Sequence, residues 1–188
     1  MTVNETLLQS LQTGLIDKNF PSTNTDLQPE LLSNDAAKGK IVLTSLLDKL
    51  EKCSSFRFSI AFITTGGVAT LMNALLALEK RNIKGKILTS QYLNFTQPEA
   101  LKRLKRFQNI ELRIATEDAN HAKGYLFEHS DTTYDLIVGS SNLTDSALKT
   151  NKEWNMKISA HRDSALVKQT VDEFEKEFAA AVVVDDAY

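Results

Sequence analysis

Cysteine is almost missing from this chain of 188 residues: Cys53 is the only one, which excludes an internal disulfide and a thiolate zinc cage. A single thiol fits a reducing compartment, and its expected state is buried and idle. An excess of one charge is missing too. Lys and Arg number 22 against 24 Asp and Glu, a formal charge of -2, so no global basic field draws in nucleic acid. Any phosphate chemistry must rest on a local patch. Long apolar runs are also absent. The start "MTVNETLLQSLQTGL" has neither the basic opening nor the continuous apolar core of a signal peptide, and "FAAAVVV" is far too short to cross a bilayer. A cytoplasmic location is expected, and the Asn-x-Ser/Thr triplets at Asn4, Asn94 and Asn142 are then not glycan sites.

What is present is an ordinary globular composition, with 42% hydrophobic and 24% charged residues, enough for one core and a single folded domain. Leu7, Leu8, Leu11 and Leu15 recur at helical spacing, which predicts an amphipathic helix over 3–17. "NFPSTNTDLQPELLSNDAAKG" then reads as an irregular, mobile connection, so residues 1–35 are set apart from a domain over 36–183. From about 38 the chain alternates. "KIVLTSLLDKLEKC", "GGVATLMNALLALEKRN" and "QPEALKRLKRFQ" have helical periodicity, while "FRFSIAFI", "GKILTSQYL" and "IELRIAT" are strand-like. Strands separated by helices of this length imply parallel pairing. The second half changes rhythm: "HAKGYLFEH" and "YDLIVGSS", joined by "SDTT", form an expected antiparallel hairpin. A helical turn "TDSALKT", a strand "EWNMKISA" and a helix "RDSALVKQTVDEFEKEFAA" follow. No internal repeat is visible.

The hairpin carries the chemistry. His121, Lys123 and Tyr125 alternate onto one face of its first strand. An imidazole beside an ammonium is useless for packing, but against an anion the ammonium stabilises charge while the imidazole attacks or moves a proton. The return strand ends in "GSSN", where Ser140 and Asn142 supply neutral hydrogen bonds close to the start of the first strand. Glu153, at the expected start of a later strand, is a carboxylate that can fix the tautomer of an imidazole.

His-x-Lys, a strand, Gly-Ser-x-Asn and a later Glu resemble the signature of the phospholipase D superfamily, specifically over 121–153. Within it the chain is similar to the single-motif, nuclease-like units found at the N-terminus of bacterial superfamily 2 helicases and in some restriction endonucleases. The resemblance implies an α/β fold with a mixed central β-sheet flanked by α-helices. It also implies a phosphodiesterase that uses neither metal nor other cofactor and acts on nucleic acid, with DNA as the expected substrate. His121 would form the phosphohistidine, Lys123, Ser140 and Asn142 would hold the non-bridging oxygens, and Glu153 would orient an imidazole. The family chemistry needs two histidines, so a homodimer sharing its site across a two-fold interface is implied. Helicase domains further along a longer chain are possible partners, and the ending "AAAVVVDDAY" offers no firm stop. Two departures stand out: Glu128 replaces the family's Asp, and the connection to Gly139 is longer than usual, with the extra length at the hairpin tip.

Other features have plainer readings. His129 and His161 are expected on the surface, since neither has a partner at metal-ligand spacing. Lys102, Arg103, Lys105 and Arg106 lie off the apolar stripe of their helix; they are candidate phosphate contacts, or else a solvated face. "TTGG" at 64–67 lacks the Lys-Ser/Thr of a nucleotide loop and is expected to be a tight turn. Trp154 and the nine Phe are assigned to the core. The rival functions are a catalytically inactive module that kept the fold for nucleic-acid binding or dimerisation, and lipid phosphodiester hydrolysis.

Overall fold

The computed structural model describes residues 1–22, 24–35, 41–91, 95–116 and 120–184. Tyr92, Leu93 and Asn94, the 36–40 start of the alternating region and the ending 185–188 therefore lie outside the described residues. Helix α1 (Val3–Leu11) opens with a reciprocal cap between Thr2 and Glu5 and runs into one π-helical turn over Gln12–Ile16. The expected helix over 3–17 is thus nearly continuous. The connection after it is not wholly irregular. It contains a 3-10 turn at Thr25–Leu27 and a short strand, β1 (Glu30–Leu32), which pairs antiparallel with β7 (Asn155–His161). Three residues flanked by turn formers are too few for a periodicity to show, so only the partner strand reveals β1.

Helices α2 (Val42–Lys52), α3 (Thr65–Lys80) and α4 (Pro98–Lys105) alternate with β2 (Ser55–Ile60), β3 (Lys84–Ser90) and β4 (Ile110–Ala115). The hairpin β5 (Lys123–Glu128) and β6 (Thr133–Gly139), helix α5 (Asp145–Lys149), β7, helix α6 (Ala165–Ala180) and β8 (Val182–Val183) complete the chain. The sheet has eight strands in the order β1-β7-β6-β5-β2-β3-β4-β8. β2, β3 and β4 are parallel and every other pairing is antiparallel, so the mixed sheet flanked by helices is the observed architecture.

One face of the sheet buries the aromatic and aliphatic side chains of β2 and β5, such as Phe56, Phe58, Tyr125 and Phe127, against the apolar stripes of α2, α3, α4 and α5. On the other face α6 lies across the sheet, with Val167 on Leu126 and Leu136 and with Phe174 and Phe178 on Leu88. Cys53 is buried at the end of α2, as its composition predicts, and burial pushes its thiol up to about 11.

Three assignments from sequence are corrected. Trp154 is 72% exposed, and Phe20 and Phe95 are exposed as well, so the aromatic residues are not all core. His161 ends β7 half-buried, bonded to the Thr132 hydroxyl at 3.0 Å, rather than lying on the open surface. His129 is not a surface residue either: its ring Nε2 lies 2.8 Å from Oδ2 of Asp135, which is itself buried. Lys49 of α2 reaches the same oxygen at 3.2 Å and the Ser159 hydroxyl donates to Oδ1. A lone carboxylate inside an apolar run has drawn every nearby donor to itself, as burial requires.

Candidate active site

The carboxyl ends of β2 and β3, the start of β5 and the end of β6 converge at one end of the sheet. Ligands in open α/β sheets characteristically bind there. Ser90, at the end of β3, ties this corner together: its one hydroxyl proton is shared between the carbonyls of Ala61 at 2.8 Å and Asn120 at 3.0 Å. The Asn120 side chain accepts from the Ala122 amide at 3.2 Å, which turns the chain just ahead of β5.

His121 sits on that turn and is exposed, two residues before the strand begins. Lys123 is the first residue of β5, pairs with Ile60 and is buried. Its ammonium lies 3.0 Å from His121 Nδ1 and 2.7 Å from the His121 carbonyl oxygen. An ammonium has donors only, so Nδ1 accepts and the ring proton resides on Nε2 in this arrangement. Burial lowers the Lys123 pKa, and the negative charge of Glu153 opposes that shift. The placement of Glu153 beside the pair is thereby also electrostatic.

Across the hairpin, β6 delivers Gly139, Ser140, Ser141 and Asn142. The buried Tyr125 hydroxyl donates to the Ser141 carbonyl at 2.9 Å, Asn155 Oδ1 accepts from the Ser141 amide at 3.2 Å, and Asn155 Nδ2 donates to the Ser141 hydroxyl at 2.9 Å. Ser141 therefore clamps the turn from below while its neighbours face the ligand end. Asn142 Oδ1 accepts from the Phe62 amide at 3.2 Å, just past the end of β2, which leaves the Nδ2 donors for another acceptor. Exposed Ser140 donates its hydroxyl to Glu153 Oε2 and accepts from the Trp154 amide at 3.1 Å. Glu153 precedes β7 rather than opening it, and within one chain its carboxylate engages Ser140.

Glycine matters at the base of this arrangement. A Cβ on Gly67 would lie 1.9 Å from the Leu143 carbonyl oxygen, so only a bare backbone lets the first turn of α3 approach the segment after Asn142. Thr64 caps that helix, accepting from the Gly67 amide at 3.1 Å, and Gln97 Oε1 accepts from the Thr65 amide at 2.8 Å. The "TTGG" segment is thus the N-cap and first turn of α3 rather than a separate tight turn, with the amides of Thr64, Thr65 and Gly67 bonded to Leu143, Gln97 and Thr64.

His121, Lys123, Ser140, Asn142 and Glu153 are thus gathered at one end. The basic quartet is elsewhere. Helix α4 runs away from this end, and its last turn adjoins the start of β4, where Asn109 meets Gly85. Arg103 and Arg106 line a surface cleft there with Glu79, Glu99 and Phe107, so acidic residues interrupt the positive face. Glu128 ends β5, where Ser55 donates to it at 2.8 Å and Arg162 at 3.2 Å. Sequence reasoning missed the supporting residues Ser90 and Asn155, and gave Tyr125 a face but no role. Tyr125, two residues beyond Lys123 and thus on the same face, was the one visible signal.

A family profile described as "Cardiolipin synthase, PLD-like domain" matches residues 46–181. Among solved structures, the fold is similar to Nuc from Salmonella typhimurium, described as a phospholipase D family member. That match has 20% identity and a TM-score of 0.64, over 85% of this chain and 100% of that one. NucT from Helicobacter pylori matches at 17% identity and TM-score 0.63, over 84% of this chain and 99% of that one. Phosphatidylserine synthase from Haemophilus influenzae matches at 15% identity and TM-score 0.63, over 83% of this chain but 40% of its own length. No curated protein matches. With its profile matched from α2 through α6 and the His-Lys and Gly-Ser-x-Asn elements gathered at one end of the sheet, the chain belongs to the phospholipase D-like domain family.

Proposed function

We propose that the chain is a nuclease-type phosphodiesterase that cleaves nucleic acid, DNA in the first place, through a phosphohistidine. The observation that carries this reading is the imidazole of His121 held 3.0 Å from the Lys123 ammonium, at the strand ends where Ser140, Asn142 and Glu153 also lie. In the first step His121 Nε2 attacks phosphorus and the bond to the leaving oxygen breaks. That oxygen takes a proton from the imidazole of a second copy of the chain. Water then attacks the phosphohistidine, giving its proton back to the second imidazole, and the N–P bond breaks. Attack through Nε2 needs the ring proton on Nδ1, so Lys123 must leave Nδ1 for a non-bridging oxygen when substrate binds. Asn142 Nδ2 and the Ser140 hydroxyl complete the anion's hydrogen bonds, and Glu153 orients the imidazole of the partner copy.

Each chain brings one such imidazole, so the proposal includes a two-fold homodimer with a shared site. It extends to a cytoplasmic role within a longer DNA-processing chain, in keeping with the helicase-associated units the motif resembles. Nuc and NucT are matched over almost their whole length and phosphatidylserine synthase over 40%, so a domain of this kind occurs both as nearly a whole solved chain and as part of a longer one. A second reading, a binding or dimerisation module without turnover, is favoured by two contacts: Lys123 occupies Nδ1 of His121, and Glu153 engages Ser140 instead of an imidazole.

The test is hydrolysis of labelled DNA and of an aryl phosphodiester in EDTA. Cleavage that His121→Ala abolishes is expected. Activity that strictly needs a divalent metal, or that survives the substitution, overturns the mechanism. DNA binding without turnover, unchanged in His121→Ala, favours the binding module. Turnover of phospholipid vesicles alone would move the assignment to lipids.

A further inference from the structure

The single tryptophan of the chain is among its most exposed apolar side chains, although the type is usually well buried. Its backbone is nonetheless fixed. The Trp154 amide donates to the Ser140 hydroxyl at 3.1 Å and its carbonyl accepts from the Ser140 amide at 3.1 Å. The residue before it is Glu153, bonded to the same hydroxyl. The Trp154 backbone is therefore held in a set relation to the group proposed to bind a phosphate oxygen.

The surface beside it is apolar too. Val138 and Met156 face each other in the β6–β7 register and are 49% and 42% exposed; Leu31, paired with Met156, is 49% exposed. These side chains share the sheet face that α6 covers over Leu126, Leu136 and Leu88, and α6 leaves this corner open. Four side chains are far fewer than the about 20–30 residues that each side of a stable protein interface supplies. A planar group the size of one base matches the corner better.

We propose that Trp154, backed by Val138 and Met156, is a stacking platform for a nucleobase next to the scissile phosphate, so that the substrate is single-stranded or locally unstacked nucleic acid. This rests on the phosphodiesterase reading above. Both faces of a base inside a duplex are already stacked, whereas an unpaired base can lay one face on an indole whatever its sequence. A base joined to the sugar of a phosphate held at Ser140 lies within reach of the side chain of Trp154.

Because there is one tryptophan, its fluorescence reports on one place. The full chain carrying His121→Ala, in EDTA, is titrated with an oligo-dT strand, a duplex of equal length and an abasic strand of equal charge. Quenching by oligo-dT well before the other two is expected. Adding Trp154→Ala should weaken oligo-dT binding, measured by anisotropy of a labelled strand, about 5- to 100-fold. Abasic-strand binding should be unchanged, and Trp154→Phe should retain most of the affinity. Saturation by oligo-dT without a fluorescence change, no oligo-dT binding, or equal loss for both strands in Trp154→Ala overturns the platform. So does a halving of the sedimenting mass in Trp154→Ala, which would make the indole a subunit contact. Failure of the unsubstituted protein to cleave any phosphodiester, with quenching retained, sinks the catalytic reading alone.

Discussion

Replacing Asp135 by Asn tests whether the buried ion cluster holds the far end of the sheet together. The carboxylate is 2% exposed and receives Lys49 at 3.2 Å, His129 at 2.8 Å and the Ser159 hydroxyl. The amide keeps the shape but removes the charge, leaving Lys49, itself 5% exposed, with only the more exposed Asp48 carboxylate at 3.4 Å as a charged partner. Breaking a buried pair from one side costs about 3–5 kcal/mol, mostly as the penalty of the stranded charge. With a urea m-value of about 2 kcal/mol/M, the unfolding midpoint should fall by roughly 1.5–2.5 M. Lys49→Met combined with Asp135→Leu removes both charges and should cost clearly less than the sum of the two single changes.

The pH dependence follows from the same contacts. Burial disfavours the charged form of His129, but the Asp135 carboxylate outweighs it and raises the pKa above the ordinary value. That contribution to stability is complete below about pH 6.5, the unfolded value, and is lost as pH rises through the folded one. Burial also opposes the Asp135 charge, yet His129, Lys49 and Ser159 hold its pKa below normal. Its contribution persists above the ordinary carboxylate value and disappears as pH falls through the depressed one. In Asp135→Asn the loss on the alkaline side should vanish. A midpoint shift under about 0.5 M, or strict additivity in the double variant, would refute the coupling.

Two further outcomes are expected. Gly67→Ala should destabilise by about 1–3 kcal/mol and lower phosphodiesterase activity, because its Cβ meets the Leu143 carbonyl beside Asn142; Gly66→Ala, with its nearest contact at 3.3 Å, should be close to neutral by the same urea titration. Cys53 should resist a thiol reagent at pH 8 in the native protein and react once urea unfolds it, since the thiol is buried and its pKa is raised to about 11; prompt native labelling would contradict the packing of α2.

Much of the architecture was legible in the chain because its elements are long and periodic. The apolar positions of α2 and α3, the β-branched and aromatic runs of β2 and β3, and the four-residue spacer in the hairpin each state a local preference that packing then satisfies. The order of His121, Lys123, Ser140, Asn142 and Glu153 was equally visible, since each is a chemical type at a readable spacing. Less legible was whatever depends on a partner far away in sequence. Glu30–Leu32 become a strand only because β7 offers an edge, and the exposure of Trp154 depends on which part of the sheet the helices cover. His129 was expected on the surface, and only the fold sets it against Asp135, which Lys49 also reaches.

The sequence by itself determined the longer helices and strands, that β2 to β4 run parallel, and which polar groups stand near the hairpin ends, because hydrophobic period and connection length are local properties. Only the tertiary structure decided that Lys123 faces Nδ1 of His121, that Glu153 reaches Ser140, and that the basic turn of α4 points away from both. Those are matters of distance between groups that many residues separate, and distance is set by how the layers pack, not by any pattern along the chain.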